Sequence, residues 1–209
     1  MIMNETPLAP PSLRARHTDE TRDALISAAR RLFAAKGYHN VGIREFAAEA
    51  GVTRGALYHH FTGKDELFLA VMETIQGELM ANAARRHRTS KRPDRWAQLR
   101  QDLQIALDEM MAPEIAQILL VDAPSVLGWQ RWREHRQRFG LDAIHKAIEL
   151  SIAEGLIAPQ PTLELAHLIS AGFNEAAMLI AYAADPAALR ASAGKALDGL
   201  LAGLRRVAL

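Results

Sequence analysis

Arginine, tyrosine and histidine side chains follow one another closely in a stretch whose pattern predicts two short helices joined by a turn. The first helix begins at Ile43, the turn lies at Gly51-Val52, and the second helix ends near Phe61. Gly51 suits a turn that needs positive φ, because glycine has no Cβ atom to clash. Short helices at a steep angle are typical of proteins that read the DNA major groove. The spacing alone also fits two packed helices with solvated polar tips, so both interpretations stay open at this point.

The second of these helices carries the residues that could contact DNA. Arg54 has the planar guanidinium that takes guanine O6 and N7 together, and Gly55 allows close approach of the backbone. Tyr58 and His59 can donate hydrogen bonds to phosphates, which positions a helix without reading sequence. Thr53 can cap the helix, so that its N-terminus points outward with a partial positive charge that suits a phosphate.

Composition narrows the classes of protein. A chain of 209 residues forms one or two domains with a real core. The absence of cysteine excludes disulfides, thiol catalysis and cysteine-ligated metals, and it fits a reducing compartment, so we expect a cytoplasmic protein. No apolar run approaches the roughly 18 residues that cross a bilayer, and the first eleven residues hold three prolines and lack the apolar core of a secretion signal. Because the net charge is only +1, DNA binding must rest on local charge placement.

The elements that position these residues are helices almost throughout. Residues 1–18 are predicted to be a flexible arm, which is either a tail without a role or an arginine-bearing segment that follows DNA. Beyond it, apolar residues recur at helical spacing and predict an all-α protein of about nine helices. The basic stretch Arg85 to Arg95 predicts a break between two modules. Trp129 to Ala153 reads as one long helix, and Asp185-Pro186 begins the last one.

Six short motifs occur in order within residues 19–79. They are Gly37-Tyr38, Ala47, Ala50-Gly51-Val52-Thr53, Gly55, Leu57-Tyr58-His59-His60-Phe61 and Lys64-Asp65-Glu66-Leu67. Together they resemble the DNA-binding domain of the tetracycline-repressor (TetR) family of bacterial transcription regulators. The resemblance implies an N-terminal three-helix DNA-binding domain with a helix-turn-helix. It also implies that the following residues lie at positions that the family uses on DNA: Thr53, Arg54, Gly55, Tyr58, His59 and Lys64.

One position departs from the family pattern. Position 42 of the family often holds Ser or Thr, which caps the first helix of the motif and contacts a phosphate. This chain has Gly42, which caps tolerably but lacks the hydroxyl. Asn40 and Arg44 are the candidates to replace that contact.

The layout of residues 80–209 resembles the C-terminal ligand-binding and dimerisation domain of the same family. The resemblance implies a homodimer in which the last two helices of each chain form a four-helix bundle. Small residues such as Gly172 and Ala176 permit close approach of helices, and Leu197 and Leu200 lie on an apolar stripe. The alternative is that this stripe packs on the chain's own core.

A ligand pocket is the second feature that this domain implies. Its candidate lining residues are Met110, Ile118, Asp122, Trp129, Phe173 and Asn174. Pockets are mostly apolar, so the effector should be largely apolar as well. Asp122 and Asn174 interrupt apolar runs, and their partners could be a ligand, an internal hydrogen bond or the second protomer. No spacing predicts a metal site or a cofactor.

The expected function is a sequence-specific regulator that binds double-stranded operator DNA, namely a repressor that a small-molecule effector releases. Such release requires the effector to bind one of two conformations better than the other. Two alternatives stay open: a helical enzyme, or an interaction module with a degenerate reader. The residue pattern contains no defensible nucleophile–base pair, glycine-rich phosphate loop or metal spacing, which argues against the enzyme.

Overall fold

Helices make up nearly all of the computed structural model, which describes residues 13–89, 94–138 and 140–206. The N-terminal part holds α1 (Leu13–Lys36), α2 (Ile43–Glu49), α3 (Arg54–His60) and α4 (Lys64–Thr89). The remainder holds α5 (Arg95–Met110), α6 (Pro113–Ile115), a π-helical segment (Ala116–Asp122), α7 (Ala123–Leu127), α8 (Trp129–Arg138), α9 (Leu141–Ala153), α10 (Thr162–Ala181) and α11 (Pro186–Gly203). Within the described residues an isolated bridge between Ile157 and Arg205 is the sole β pairing, so the all-α prediction is confirmed.

The number of helices is close to the nine predicted. The elements from Pro113 to Leu127 follow one another without a gap. Counting that run as one helix gives ten helices over the described part of the chain.

Three predicted boundaries are wrong. Helix α1 begins at Leu13, because the leucine, arginine and alanine before Thr18 are good helix formers; residues 1–12 of the expected arm lie outside the described residues. The break predicted from Arg85 to Arg95 begins later than expected, since α4 continues to Thr89, and residues 90–93 lie outside the described residues. The long helix from Trp129 to Ala153 is two helices, because Gly140 adopts φ +99° between α8 and α9.

The core of the N-terminal domain is built around Phe33 of α1, which is completely buried. Its ring centroid lies 5.0 Å from that of Phe46 in α2 and 5.1 Å from that of Phe68 in α4. Leu57 on the inner face of α3 and Phe61 at its C-terminal end are buried in the same core. These contacts fix α3 on a rigid base, with its other face outward.

Two buried tryptophans organise the C-terminal core, and both indole N–H groups are satisfied. Trp96 of α5 donates to the carbonyl of Leu201 in α11 at 3.0 Å. Trp132 of α8 donates to the carbonyl of Leu119 in the π-helical segment at 2.9 Å. A tryptophan can be buried without penalty only when its N–H finds such an acceptor, so these bonds fix how the helices pack.

Over the described ranges, none of the helices alone is long and apolar enough to cross a membrane. The pair Arg95–Met110 and Pro113–Leu127, bent by 83°, satisfies the length and composition criteria only when taken together.

Candidate nucleic-acid interface and ligand cavity

The turn between α2 and α3 has the geometry that the sequence predicts. Gly51 adopts φ +68°, and the N–H of Val52 donates to the carbonyl of Ala47 at 2.9 Å. A side chain at position 51 would be strained at this φ. The turn therefore sets α3 at an angle to α2 and exposes the outer face of α3.

The N-terminus of α3 is capped as predicted. Thr53 accepts a hydrogen bond on its Oγ1 from the N–H of Ala56 at 3.1 Å. Thr53, Arg54 and Gly55 are all exposed. A Cβ atom built on Gly55 would have one described atom within 4 Å, Thr53 Oγ1 at 3.8 Å. The backbone of α3 is thus open to a close partner at this point.

Arg54 and Tyr58 form a pair on the exposed face of α3. Arg54 Nη2 donates to the Tyr58 hydroxyl at 3.3 Å, and the guanidinium carbon lies 5.3 Å from the centre of the Tyr58 ring. Tyr58 is 45% exposed although it is a large aromatic residue, and His59 beside it is exposed as well. The pair orients a forked donor outward, because the aromatic face and the hydroxyl both hold the guanidinium.

Lys64 occupies a less open position than the residues of α3. Its Nζ lies 4.1 Å from the centre of the Tyr38 ring, and the side chain is partly buried. Burial lowers the pKa of the Lys64 ammonium, and the nearby carboxylates of Asp65, Asp122 and Glu45 oppose that shift. A phosphate contact by Lys64 therefore stays a prediction.

The structure distinguishes the two candidates that could replace a hydroxyl at position 42. Asn40 Nδ2 donates to the carbonyl of Lys36 at 2.9 Å, so this amide is used at the end of α1. Arg44 is exposed on α2. Gly42 itself is the extended N-cap of α2, and its N–H donates to the Glu45 carboxylate at 3.1 Å. Arg44 is thus the better candidate for the missing contact.

A cavity of about 220 Å³ lies between α4, α5, α9 and α10. Each helix presents residues at helical spacing to it. Its main lining residues are Gln76, Leu79, Met80, Ala83 and Arg86 from α4; Leu99, Asp102, Leu103, Ala106, Glu109 and Met110 from α5; Ala143, Ile144 and Ala147 from α9; and Ser170, Phe173 and Asn174 from α10. Most of the wall is apolar, which is typical of small-molecule sites.

The predicted ligand residues divide into two groups. Met110, Phe173 and Asn174 line the cavity, so their ligand role stays a prediction. The other three do not line this cavity, contrary to the expectation for the pocket. Ile118 is fully buried in the core, and Trp129 is 58% exposed beside Trp132 on α8.

Asp122, the third of these residues, instead contacts the N-terminal domain. Its carboxylate accepts from the backbone N–H of Tyr38 at 2.8 Å and from Gln117 Nε2 at 3.1 Å. Burial raises the pKa of Asp122, and these two hydrogen bonds partly offset that effect. Leu119, three residues earlier in the π-helical segment, lines the cavity. One short segment therefore touches both the cavity and the domain that carries α3.

Sequence reasoning missed the α4 side of the cavity. Its lining residues recur at intervals of three and four from Gln76 to Arg86, which is the helical period. This pattern is visible in the sequence, but the candidate pocket residues were all taken from position 110 onwards.

The described residues contain no group of three or more histidine and carboxylate side chains that could hold a metal ion.

Two family models match the chain. Residues 25–71 match the model described as "Bacterial regulatory proteins, tetR family", and residues 96–204 match "Tetracyclin repressor-like, C-terminal domain". The first match contains α2 and α3, and the second covers α5 to α11. Together they agree with the resemblance that the motifs indicated.

Similar proteins are known in several bacteria. A crystal structure of a TetR-family transcriptional regulator from Pectobacterium atrosepticum is 33% identical, with a TM-score of 0.81 over 95% of this chain and 100% of that one. The HTH-type transcriptional activator FasR of Mycolicibacterium smegmatis is 40% identical over 34% of this chain and 33% of its own. The HTH-type transcriptional repressor BepR of Brucella suis is 41% identical over 32% of this chain and 33% of its own. The chain thus spans about a third of the length of these two curated relatives.

Proposed function

Since this chain belongs to the TetR family of bacterial transcriptional regulators, we propose that it is a sequence-specific repressor that a small-molecule effector releases from its operator. The observation that carries this proposal is the shared helix α4. Helix α4 begins at Lys64, shortly after the DNA-binding helix α3. Its residues from Gln76 to Arg86 form one wall of the cavity. A ligand in the cavity would contact the helix that follows α3 in the chain and packs against α1 of the DNA-binding domain.

The proposed DNA contacts divide by role. Arg54 reads a base edge, because its guanidinium is exposed and oriented by Tyr58. Thr53, Tyr58 and His59 contact phosphates and set the register, as does Lys64 at the start of α4. Gly55 lets the backbone of α3 approach the groove.

In the proposed homodimer, α10 and α11 form the interface, and the second protomer supplies a second copy of α3. Leu168 of α10 is 70% exposed, and Leu200 in the last turn of α11 is 72% exposed. Exposed apolar residues on neighbouring helices favour a protein interface. Two copies of α3 would then reach half-sites about 34 Å apart on one face of DNA.

The proposed switch has two physical links. One is α4, and the other is the π-helical segment, in which Leu119 lines the cavity and Asp122 holds Tyr38. An effector that binds better to a conformation with altered spacing of the two α3 helices shifts the dimer towards it. An effector with equal affinity for both conformations leaves operator binding unchanged.

Selection of operator sites from random DNA tests the reader. The expected result is one pseudopalindromic site, bound about 10³-fold or more above bulk DNA and with a steep salt dependence. In the same selection, Arg131→Ala is the matched control for Arg54→Ala, because Arg131 is an exposed arginine of α8. Equal affinity for every sequence would contradict the proposal.

A reporter with the selected site placed across a promoter tests the sign of regulation. We expect lower transcription in the presence of the protein and recovery when the effector is added. Increased transcription in this arrangement would instead make the protein an activator.

A further inference from the structure

The side-chain oxygen of Gln76, in the cavity wall, is left without a hydrogen-bond partner among the described residues. Gln76 is only 5% exposed, and its Oε1 accepts no hydrogen bond from any residue that the structure describes. Gln76 lies on the stripe of α4 that faces the cavity, together with Leu79, Met80 and Ala83. A buried carbonyl oxygen without a donor is unfavourable, and such groups are rare in folded proteins. A ligand that brings a donor would relieve this deficit.

The charges around the cavity restrict the ligand further. Arg86 is paired with Glu109 at 2.7 Å, and Asp102 adds a second carboxylate to the wall. The guanidinium of Arg86 thus already has a carboxylate partner. An anionic ligand would have to displace Glu109 from Arg86, so a neutral ligand fits better.

The size of the cavity limits the ligand to a small molecule. An apolar cavity of about 150 Å³ takes benzene, whereas this one measures about 220 Å³. It therefore has room for one substituted ring or a chain of similar volume. Apolar side chains such as Leu103, Ile144 and Phe173 supply the rest of the surface.

We infer that the cavity takes a neutral, mostly apolar molecule of about one substituted ring that carries a hydroxyl group, and that Gln76 binds this hydroxyl. The hydroxyl donates to Gln76 Oε1 and accepts from the Nε2 of the same carboxamide, so one group satisfies both ends. The inference rests on the proposed function in taking this cavity as the effector site. It adds the chemical class of the effector and the residue that selects it.

Calorimetric titration of the full-length protein without DNA tests this class. The probes are 4-propylphenol, its methyl ether 4-propylanisole, and 4-propylbenzoate, which have nearly the same apolar body. The phenol is expected to bind about tenfold more tightly than the ether, the difference that one neutral hydrogen bond makes. The benzoate is expected to bind more weakly than the phenol, because it brings a negative charge.

The variant Gln76→Leu tests the residue. It is expected to fold, because it replaces a buried amide by an apolar side chain of similar size, and thermal unfolding checks this. In this variant the phenol and the ether should bind equally well. The matched control is Gln101→Leu, in which an exposed glutamine of α5 is replaced and the tenfold preference should persist.

Three results would overturn the inference: equal binding of phenol and ether to the unaltered protein, a preference that survives Gln76→Leu, or no binding of any probe. Operator affinity is then measured separately with the phenol present. Binding of the phenol without any change in operator affinity upholds the ligand class and contradicts the release mechanism of the proposed function. The two failures are therefore distinguishable.

Discussion

The carboxylate of Asp122 accepts a hydrogen bond at 2.8 Å from the backbone N–H of Tyr38, which lies 84 residues earlier in the chain. This bond joins the end of the π-helical segment to the loop between α1 and α2. Gly37, which precedes Tyr38, adopts φ +75°, a conformation that favours glycine. The joint is therefore a short polar contact between the cavity domain and the reader domain.

Asp122→Ala is expected to destabilise the protein more than Asp122→Asn. Alanine leaves the buried N–H of Tyr38 without an acceptor, which costs about 1–3 kcal/mol of unfolding free energy. Asparagine keeps an acceptor and removes a buried charge, so its change should stay within about 1 kcal/mol. Urea unfolding at pH 7 measures both, with Asp23→Ala on the exposed face of α1 as the control. Equal losses in the two variants would mean that the Tyr38 contact does not stabilise the fold.

The pH dependence of stability should carry the signature of Asp122. Burial raises its pKa from the ordinary value of 3.8 in the folded protein. The folded state therefore holds this proton more tightly than the unfolded state does. The protonated Asp122 therefore contributes to the free energy of unfolding. This contribution is fully present below the unfolded pKa of about 3.9 and is lost as the pH rises through the folded pKa.

The difference between the unaltered protein and Asp122→Asn isolates this contribution, because other carboxylates titrate in both. Relative to the variant, the unaltered protein should lose unfolding free energy as the pH rises from about 4. Urea unfolding across this range measures the difference. A difference that stays constant with pH would show that burial does not shift the Asp122 pKa.

The sequence predicted local features well and distant contacts poorly, for a physical reason. Thr53 and Asp185 cap α3 and α11 as expected, because a cap depends on residues within three positions of it. Asp122 was assigned to the ligand pocket because it interrupts an apolar run. Its partner Tyr38 could not be found from local pattern, since nothing near either residue encodes their meeting.

Helix α8 is a second region that the sequence predicted poorly. Trp129 and Trp132 lie three residues apart, yet the first is 58% exposed and the second is buried. The predicted helix ran on to Ala153, whereas Gly140 separates α8 from α9. Because the phase of α8 is set by the bond from Trp132 to Leu119, the face that it buries depends on tertiary packing.

Gly42→Ser should restore the contact that this chain lacks. Gly42 has φ −116° and ψ 163°, the extended conformation that a serine N-cap adopts, and a Cβ there meets no described atom within 4 Å. A hydroxyl that donates to a phosphate should tighten operator binding about three- to tenfold, as one such hydrogen bond would. Fluorescence anisotropy on the selected operator measures the change. Gly77→Ser on the exposed side of α4 should leave affinity unchanged, and an equal gain there would contradict the assignment.

Arg54→Ala and Lys64→Ala should differ in kind. Arg54→Ala is expected to relax preference at one base pair, worth about 1–3 kcal/mol of discrimination. Lys64→Ala is expected to weaken all sequences alike and to reduce the salt slope by about one. Selection from random DNA and salt titration with both variants distinguish them. The reverse pattern would assign the phosphate role to Arg54 and the base contact to Lys64.

Gly55→Ala tests whether glycine at this position serves stability or DNA binding. Alanine is favoured over glycine in helices by about 0.5–1 kcal/mol, and the added methyl would approach only Thr53 Oγ1, at 3.8 Å, among the described atoms. The variant should therefore be as stable as the unaltered protein or more stable. Its operator affinity should nevertheless fall about tenfold or more, because the methyl lies where the backbone of α3 meets the groove. Gly77→Ala is the matched control, since it replaces another exposed helical glycine with nothing described within 4 Å, and it should raise stability without changing affinity. If both variants bind the operator normally, close approach at Gly55 is not part of recognition.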